Sequence, residues 1–600
     1  MSKIYTKPKE ILNNEEVLYA GNHYISLPEI DPTTAIVRSL NIGTISNKAL
    51  LELKGKKGLF IPSFYIGGKK LAIKHASYSK EYFYNPLITF DLEGEVQVKV
   101  RIYTDLYEKG LIYDFQSNKP VDIQILCDIS SMSFLRFNSH DFDFQKNYQV
   151  DTWLYNPIIE LESPKSSLAI AFGGEESFKY KFNEEKETME LECKKRNALY
   201  IALNYDADGA STTLIHLKRK GYKVIYKQWE DWLQDKKLSY AQDFSLERIM
   251  NENLFFNYFF SIGKDWESDR YFALTSRSPR YYVSGAFWER DSFLWSFPAI
   301  KLVNPSLHQL LIREMILLHS KNPGDHAHYI DGTTLYPGFE LDEAASYFIL
   351  LRDLKQDKVD QSLIWALENV WDRIEQEYDR DTKLYKTFLL PSDDPALYPL
   401  VTIDNVILWR GLHYLRDLYE KLGLKEKSRI IIERIGGIKE GIYKYLVKEV
   451  NGKKMFVWSG DKNGNFRLYN DPPGNLGLLH FYDFVHEQDE IFQNTIEYYY
   501  SPQYNYFFQD VSIQELACDH HPNTPSGLGL CGSILNPLKR KMALGWLLQA
   551  NMDFGLLAES FDPNTGEGKT GVGFATGAGY LASVLNHVLL GGDFHEDSSC

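Results

Sequence analysis

Short acidic stretches in the second half of the chain carry the residue types best suited to chemistry. "AFWERDSFLW" holds Trp288, Glu289, Arg290 and Asp291, and "YPGFELDEAA" holds Glu340, Asp342 and Glu343. "LLPSDDPALY" holds Asp393 and Asp394 with Asp404 beyond it, "YNDPPGNLG" holds Asp471 and Asn475, and "GLLAESF" holds Glu559. The first four open helix-like apolar runs, where one small polar residue suffices as a cap and first-turn acids complement the helix dipole. A cap alone needs no aromatic neighbours. Here rings and Pro-Gly elements surround the acids: carboxylates accept hydrogen bonds from hydroxyl groups, and Trp288, Trp295 and Tyr336 offer flat stacking faces. The combination points to a hydroxyl-rich ligand.

The last stretch raises a competing reading. Gly566-Glu567-Gly568-Lys569-Thr570 resembles the end of a phosphate-cradling loop, but the glycine such a loop needs further upstream is Pro563. Proline has no N–H to donate and a fixed φ. Those residues therefore read as a turn feeding the last helix, and Glu559 keeps the chemical interest. Asp325-His326-Ala327-His328 and Cys518-Asp519-His520-His521 bring potential metal ligands together, yet neither has the spacing of a zinc signature. A structural or hydroxyl-binding role is expected for them, with no metal and no cofactor.

The elements that must position these residues follow from periodicity. At 600 residues the chain is long enough for two or more cores. Up to about residue 220 the pattern has period two, as in Val96, Val98, Val100 and Ile102 alternating with Gln97, Lys99, Arg101 and Tyr103. That predicts antiparallel sheets, most simply a β-sandwich, over residues 1–220. "KVIYKQWEDWLQDKKL" predicts a connecting helix within 221–245, and 246–600 becomes a succession of about eleven or twelve amphipathic helices. Leu363, Leu367, Val370 and Ile374 mark one such face; Leu408, Leu412, Leu415, Tyr419 and Leu422 mark another. The fold class is α+β and multidomain, a sandwich followed by an (α/α)6 toroid whose loops line a central pocket.

Composition narrows the ligand. A formal net charge of −15 without a basic stripe argues against nucleic acid and anionic membrane surfaces as partners. Aromatic residues make up 14% of the chain, with 40 Tyr and 11 Trp, which leans toward carbohydrate. No signal peptide or membrane-spanning stretch is evident, and five cysteines, odd in number, read as free thiols. A cytoplasmic protein acting on an oligosaccharide is expected.

In order along the chain, W-x-RDS, ELD, PSDD, NDPPGN and AESF resemble motifs of the six-hairpin glycosidases, particularly glycoside hydrolase family 125, the metal-independent exo-α-mannosidases. The closing "GLLAESFDPNTGEGKTGVGFATG" and the order of sandwich then helices also resemble family 15 glucoamylases and glycogen-debranching-type enzymes. The resemblance implies a protonated carboxyl at Asp393 or Asp394 as general acid and Glu559 as general base, with inversion of configuration. Trp288, Arg290, Asp291, Glu340, Asp342, Asp471 and Asn475 are the expected substrate-placing residues; Glu289 is expected as a surface acid and Asp404 as a helix cap. Three positions depart from the family 125 pattern: Leu390 stands in place of Arg, Glu343 in place of Ser and Ala558 in place of His. An α-glucosidase is slightly favoured, with an exo-α-mannosidase as the alternative. A phosphorylase would need a basic phosphate cluster near the base, and none surrounds Glu559. A non-catalytic glycan-binding protein would have lost one carboxylate of the pair, and both candidates are present. Epimerases and lyases on such a fold would draw on the His pairs.

Overall fold

The structure, a computed structural model, describes residues 9–10, 16–175, 178–194 and 198–591. The chain divides into two compact units: Met1–Lys237 with Ile262–Phe272 and Ser276–Gly285, and Leu238–Ser261 with Ala273–Thr275 and Ala286–Cys600.

In the first unit the alternating sequence becomes antiparallel sheet. Strand Val96–Thr104 buries Val96, Val98 and Val100 and exposes Gln97 and Lys99. It pairs with Gly110–Ser117, Val100 opposite Phe115, and with Asn85–Leu92, Val98 opposite Phe90. These strands belong to a nine-stranded sheet, accompanied by sheets of five and six strands. Val98 and Val100 from the first, Ile123 and Ile125 from the second, and Ile42 and Leu51 from the third share one hydrophobic core, as in a sandwich. Helix Tyr222–Lys236 forms where the sequence predicts it. Its Trp229 is buried and donates its indole N–H to the Thr104 carbonyl at 2.7 Å, so the helix is fastened to the sheet.

The second unit holds eleven α-helices among the described residues, from Phe244–Phe260 to Ala575–Leu590. They are of two kinds. Phe244–Phe260, Leu341–Ile349, Gly527–Leu535 and most of Ala575–Leu590 are buried on almost every side, polar residues such as Asn257 and Asp342 included. Gln361–Glu375 instead buries one stripe, Leu363, Leu367, Val370 and Ile374, the face read from the sequence. Helix Ala575–Leu590 packs on Phe244–Phe260, and Leu341–Ile349 packs on Thr402–Lys421. Glu340, Asp342 and Glu343 lie at the amino end of one of these buried helices, Leu341–Ile349. Among the described residues no helix is long and apolar enough to cross a membrane.

Three local readings are corrected. Gly568–Thr570 is not a turn but a short strand paired antiparallel with Ser560–Phe561, so the stretch after Glu559 is a hairpin. Asp404 does not cap its helix: Val401 holds that position and Asp404 lies in the first turn, fully buried. Glu289 is buried as well, not a surface acid.

Candidate active site

Arg290 is the centre of the arrangement. It directly precedes a single π-helical stretch, Asp291–Ser296, and irregular helix of this kind is frequent where a side chain must be aimed. Its guanidinium Nη1 donates to Glu340 Oε2 at 3.0 Å and Asp342 Oδ2 at 3.1 Å, and Nη2 donates to Asp393 Oδ1 at 3.1 Å. Glu343 Oε1 lies 3.3 Å from Nη2, and Glu343 Oε2 accepts from the Arg290 backbone N–H at 2.6 Å. Glu340 is the residue just before helix Leu341–Ile349, and Asp342 and Glu343 occupy its first turn, where the helix dipole favours acids. Glu343 is therefore a ligand of Arg290, a role its place after Glu-Leu-Asp did not announce.

Two adjacent aspartates separate at this centre. Asp393 has φ 68°, a left-handed conformation Asp tolerates better than most residues, inside a turn closed by the Leu390 N–H to the Asp394 carbonyl at 2.7 Å. Asp393 consequently turns to Arg290, while Asp394 Oδ2 lies 3.8 Å from His520 Nδ1. Asp471 accepts from the Ser392 N–H at 3.0 Å, pinning the same turn from another loop. Glu559 is held by backbone: its N–H donates to the Gly571 carbonyl at 3.3 Å, and its carbonyl accepts from the Gly527 N–H at 2.8 Å.

Burial sorts the acids. Asp291, Glu340, Asp342, Glu343, Asp404 and Asp471 are buried, whereas Asp393 is exposed and Asp394 and Glu559 are half-buried. Burial pushes Glu340 up to about 7, with Asp393 adding to the shift against the His326 hydrogen bond and Arg290. Burial does the same to Asp291, up to about 7 against the pull of Arg290. Asp471 also reaches about 7, chiefly through burial and with a contribution from Asp394. Glu343 and Asp404 are raised well above the ordinary carboxylate range, again by burial first, and neighbouring Asp342 and Glu340 add to the rise at Asp404. Near neutral pH this acid cluster holds protons as well as the Arg290 cation.

Beneath Arg290, Glu289 acts as a tie. Its Oε1 accepts from Tyr347 Oη–H at 2.6 Å and its Oε2 from the Gly324 N–H at 3.2 Å. Tyr347 is on the helix that carries Asp342 and Glu343, and Gly324 precedes the strand that carries His326. His326 Nδ1 in turn lies 2.6 Å from Glu340 Oε1. His326, Glu340 and Asp393 offer atoms within 4.8 Å of one another, the one His/Cys/Asp/Glu set among the described residues that could hold a metal ion. Glu340 and Asp393 are already bonded to a guanidinium, which repels a dication, so the carboxylates have their counter-charge from the protein.

Some expected binders have other work. Asn475 spends its Oδ1 on the Gly477 N–H at 2.6 Å, capping a short 3₁₀ helix. Trp295 is buried between Arg290, 5.6 Å away, and a stacked Tyr580, so its faces are covered. Trp288 is buried with its ring edge-on to His326 at 5.7 Å, and the ring of exposed Tyr336 lies 6.1 Å from the same histidine. Asp291 accepts from Thr576 Oγ1 at 3.2 Å, which brings the last helix into the cluster.

Residues 367–583, which include Asp393, Asp394, Asp471 and Glu559, match the family described as metal-independent alpha-mannosidase, GH125. The chain is a glycoside hydrolase. Solved structures agree with this hydrolase in fold. A metal-independent α-mannosidase from Streptococcus pneumoniae, in a non-productive complex with α-1,6-mannobiose, superposes with TM-score 0.52 at 17% identity, covering 62% of this chain and 99% of that one. A bacterial glucoamylase complexed with acarbose gives 0.61 at 10% identity over 98% and 97% of the two chains. The family GH92 α-mannosidase of Bacteroides thetaiotaomicron gives 0.50 at 12% identity over 95% and 81%. No curated protein sequence matches the hydrolase.

Proposed function

We propose that this hydrolase is an exo-acting α-glycosidase that inverts configuration, with Asp394 as general acid and Glu559 as general base. The observation that carries the choice of acid is the separation of the two aspartates: Asp393 is committed to Arg290, whereas Asp394 faces His520 and Asp471. Asp394 passes its proton to the glycosidic oxygen as that bond breaks, and Glu559 takes a proton from the water that attacks the anomeric carbon. Inversion calls for roughly 6.5 to 9.5 Å between the two carboxyl groups, with a water between them. Arg290, Glu340, Asp342 and Asp291 form the floor on which the substrate's hydroxyls are placed, with Trp288 as a wall. The inner and outer helices are taken to close as an (α/α)6 toroid around this floor, and the free buried thiols suit a cytoplasmic setting.

α-Mannosides are the favoured substrates, because the family match spans both the proposed acid and the proposed base. α-Glucosides are the second reading, favoured by the likeness to a glucoamylase over nearly the whole chain. Incubation with α-manno- and α-gluco-disaccharides, with and without phosphate or chelator, is the test, with the product anomer followed by NMR. Free β-anomer from one series, indifferent to both additions, is the expected result. Sugar phosphate as product, or retention of the α-anomer, would overturn the mechanism.

A further inference from the structure

An aromatic loop on the amino-terminal unit is used by nothing described so far. Trp153, Leu154 and Tyr155 are 81%, 52% and 73% exposed, although large apolar side chains in a row normally seek cover. The loop is nonetheless firmly built. Asp151 Oδ1 accepts from the Trp153 and Leu154 N–H groups at 2.8 and 2.7 Å, Asp151 Oδ2 accepts from the Asn156 N–H at 2.8 Å, and the Asp151 N–H bonds the Asn156 carbonyl at 3.0 Å. Tyr155 is held at φ 55°, a conformation that costs a non-glycine residue about 1–3 kcal/mol. The fold thus accepts strain at Tyr155 within a loop that holds two exposed rings.

Beside the loop runs helix Ala207–Lys220, and between them lies a groove of about 410 Å³ lined by Trp153, Leu154, Ile215, Lys218 and Arg219. We infer that this groove is a second glycan-binding site, which takes an oligosaccharide chain of the kind the hydrolase degrades. Flat amphipathic rings cover the apolar faces of pyranose rings. Lys218 and Arg219 make no ion pair with a carboxylate among the described residues, so their N–H groups can donate to hydroxyl oxygens along the chain. The groove falls in the roughly 300–1,000 Å³ range of small-ligand sites. A net charge of −15 disfavours an anionic membrane as the occupant. The inference rests on the glycosidase reading for the identity of its ligand.

Affinity electrophoresis of the full chain in native gels containing soluble α-mannan or α-glucan tests it, beside a disaccharide hydrolysis assay. Wild type should be retarded in at least one gel. The double variant Trp153→Ala/Tyr155→Ala should lose at least tenfold in affinity while its kcat/KM on the disaccharide stays within twofold. Equal retardation of variant and wild type overturns the proposal, and so does free migration of wild type in both gels. A change in oligomeric mass without a change in retardation also overturns it, in favour of a second copy as the occupant. Failure to cleave any disaccharide would overturn the catalytic reading instead, leaving the retardation comparison to judge the groove.

Discussion

Replacing Arg290 with methionine keeps much of the side-chain volume and removes the charge that Glu340, Asp342, Glu343 and Asp393 share at 3.0 to 3.3 Å. Three of those acids are buried, and stranding one side of a buried ion pair costs about 3–5 kcal/mol. Protons can substitute for the lost cation. Glu340 lies at about 7 and Glu343 is raised, both chiefly by burial, so at pH 5 Glu340 is largely neutral without help and Glu343 is shifted the same way. The loss there reduces to the charge-assisted hydrogen bonds, about 1.5–3 kcal/mol. The sign follows from linkage: a carboxyl that binds its proton more tightly folded than unfolded favours folding at low pH. That advantage is lost as pH rises from about 4 through about 7. Thermal unfolding of wild type and Arg290→Met at pH 5 and pH 8 reads the difference. A loss of about 3–5 kcal/mol at pH 8 lowers the Tm of a unit of several hundred residues by about 4–7 °C, and about half that is expected at pH 5. Equal shifts at both pH values would refute the idea that protons stand in for the guanidinium. An unchanged Tm at pH 8 would refute the claim that Arg290 neutralises buried charge at all.

Four further outcomes are expected. Glu559→Gln and Asp394→Asn should each lower kcat at least a thousandfold with little change in Tm, whereas a mere tenfold loss in either would remove it from the proposed pair. Asp404→Asn should be neutral or stabilising at pH 8 and close to wild type at pH 5 in the same unfolding assay, because neither oxygen of this buried carboxyl has a hydrogen-bond partner among the described residues; marked destabilisation at pH 8 would mean the charge is needed. Gly527→Ala should reduce kcat at least tenfold, since its Cβ would collide with the Ala558 carbonyl beside the proposed base; kinetics at the wild-type level would show that this backbone contact yields freely. Tyr347→Phe should cost about 1–3 kcal/mol in chemical denaturation by leaving a buried Glu289 oxygen unpaired, and no loss would mean the tie carries no weight.

Periodicity carried most of the fold. The stripe Leu363–Ile374 translates directly into which side chains are buried, and so does the alternation from Val96 to Val100, but it fails at Arg101 and Tyr103, which are buried too, Arg101 against Glu81. Motif spacing located the acids, but their partners are long-range and left no local mark. Glu343 meets Arg290 across 53 residues, and Thr576 meets Asp291 across 285. Glu289 read as a surface acid because a charged residue usually is one; only its distant donors, Tyr347 and Gly324, make its burial tolerable. Trp295 looked like a stacking platform because a sequence does not show that Tyr580 covers it. The left-handed backbone at Asp393, which sends adjacent aspartates to different partners, has only the compatible Asp side chain as its sequence trace.

The mount of Glu559 has an evolutionary consequence. Main-chain bonds to Gly527 and Gly571 set the station of that residue, and the hairpin of Ser560–Phe561 with Gly568–Thr570 braces it from the other side. Side chains on neighbouring loops can be exchanged without moving such a mount. With Glu559 as the proposed base, the pocket around it could change its sugar selectivity while the base keeps its place, so specificity would drift faster than mechanism.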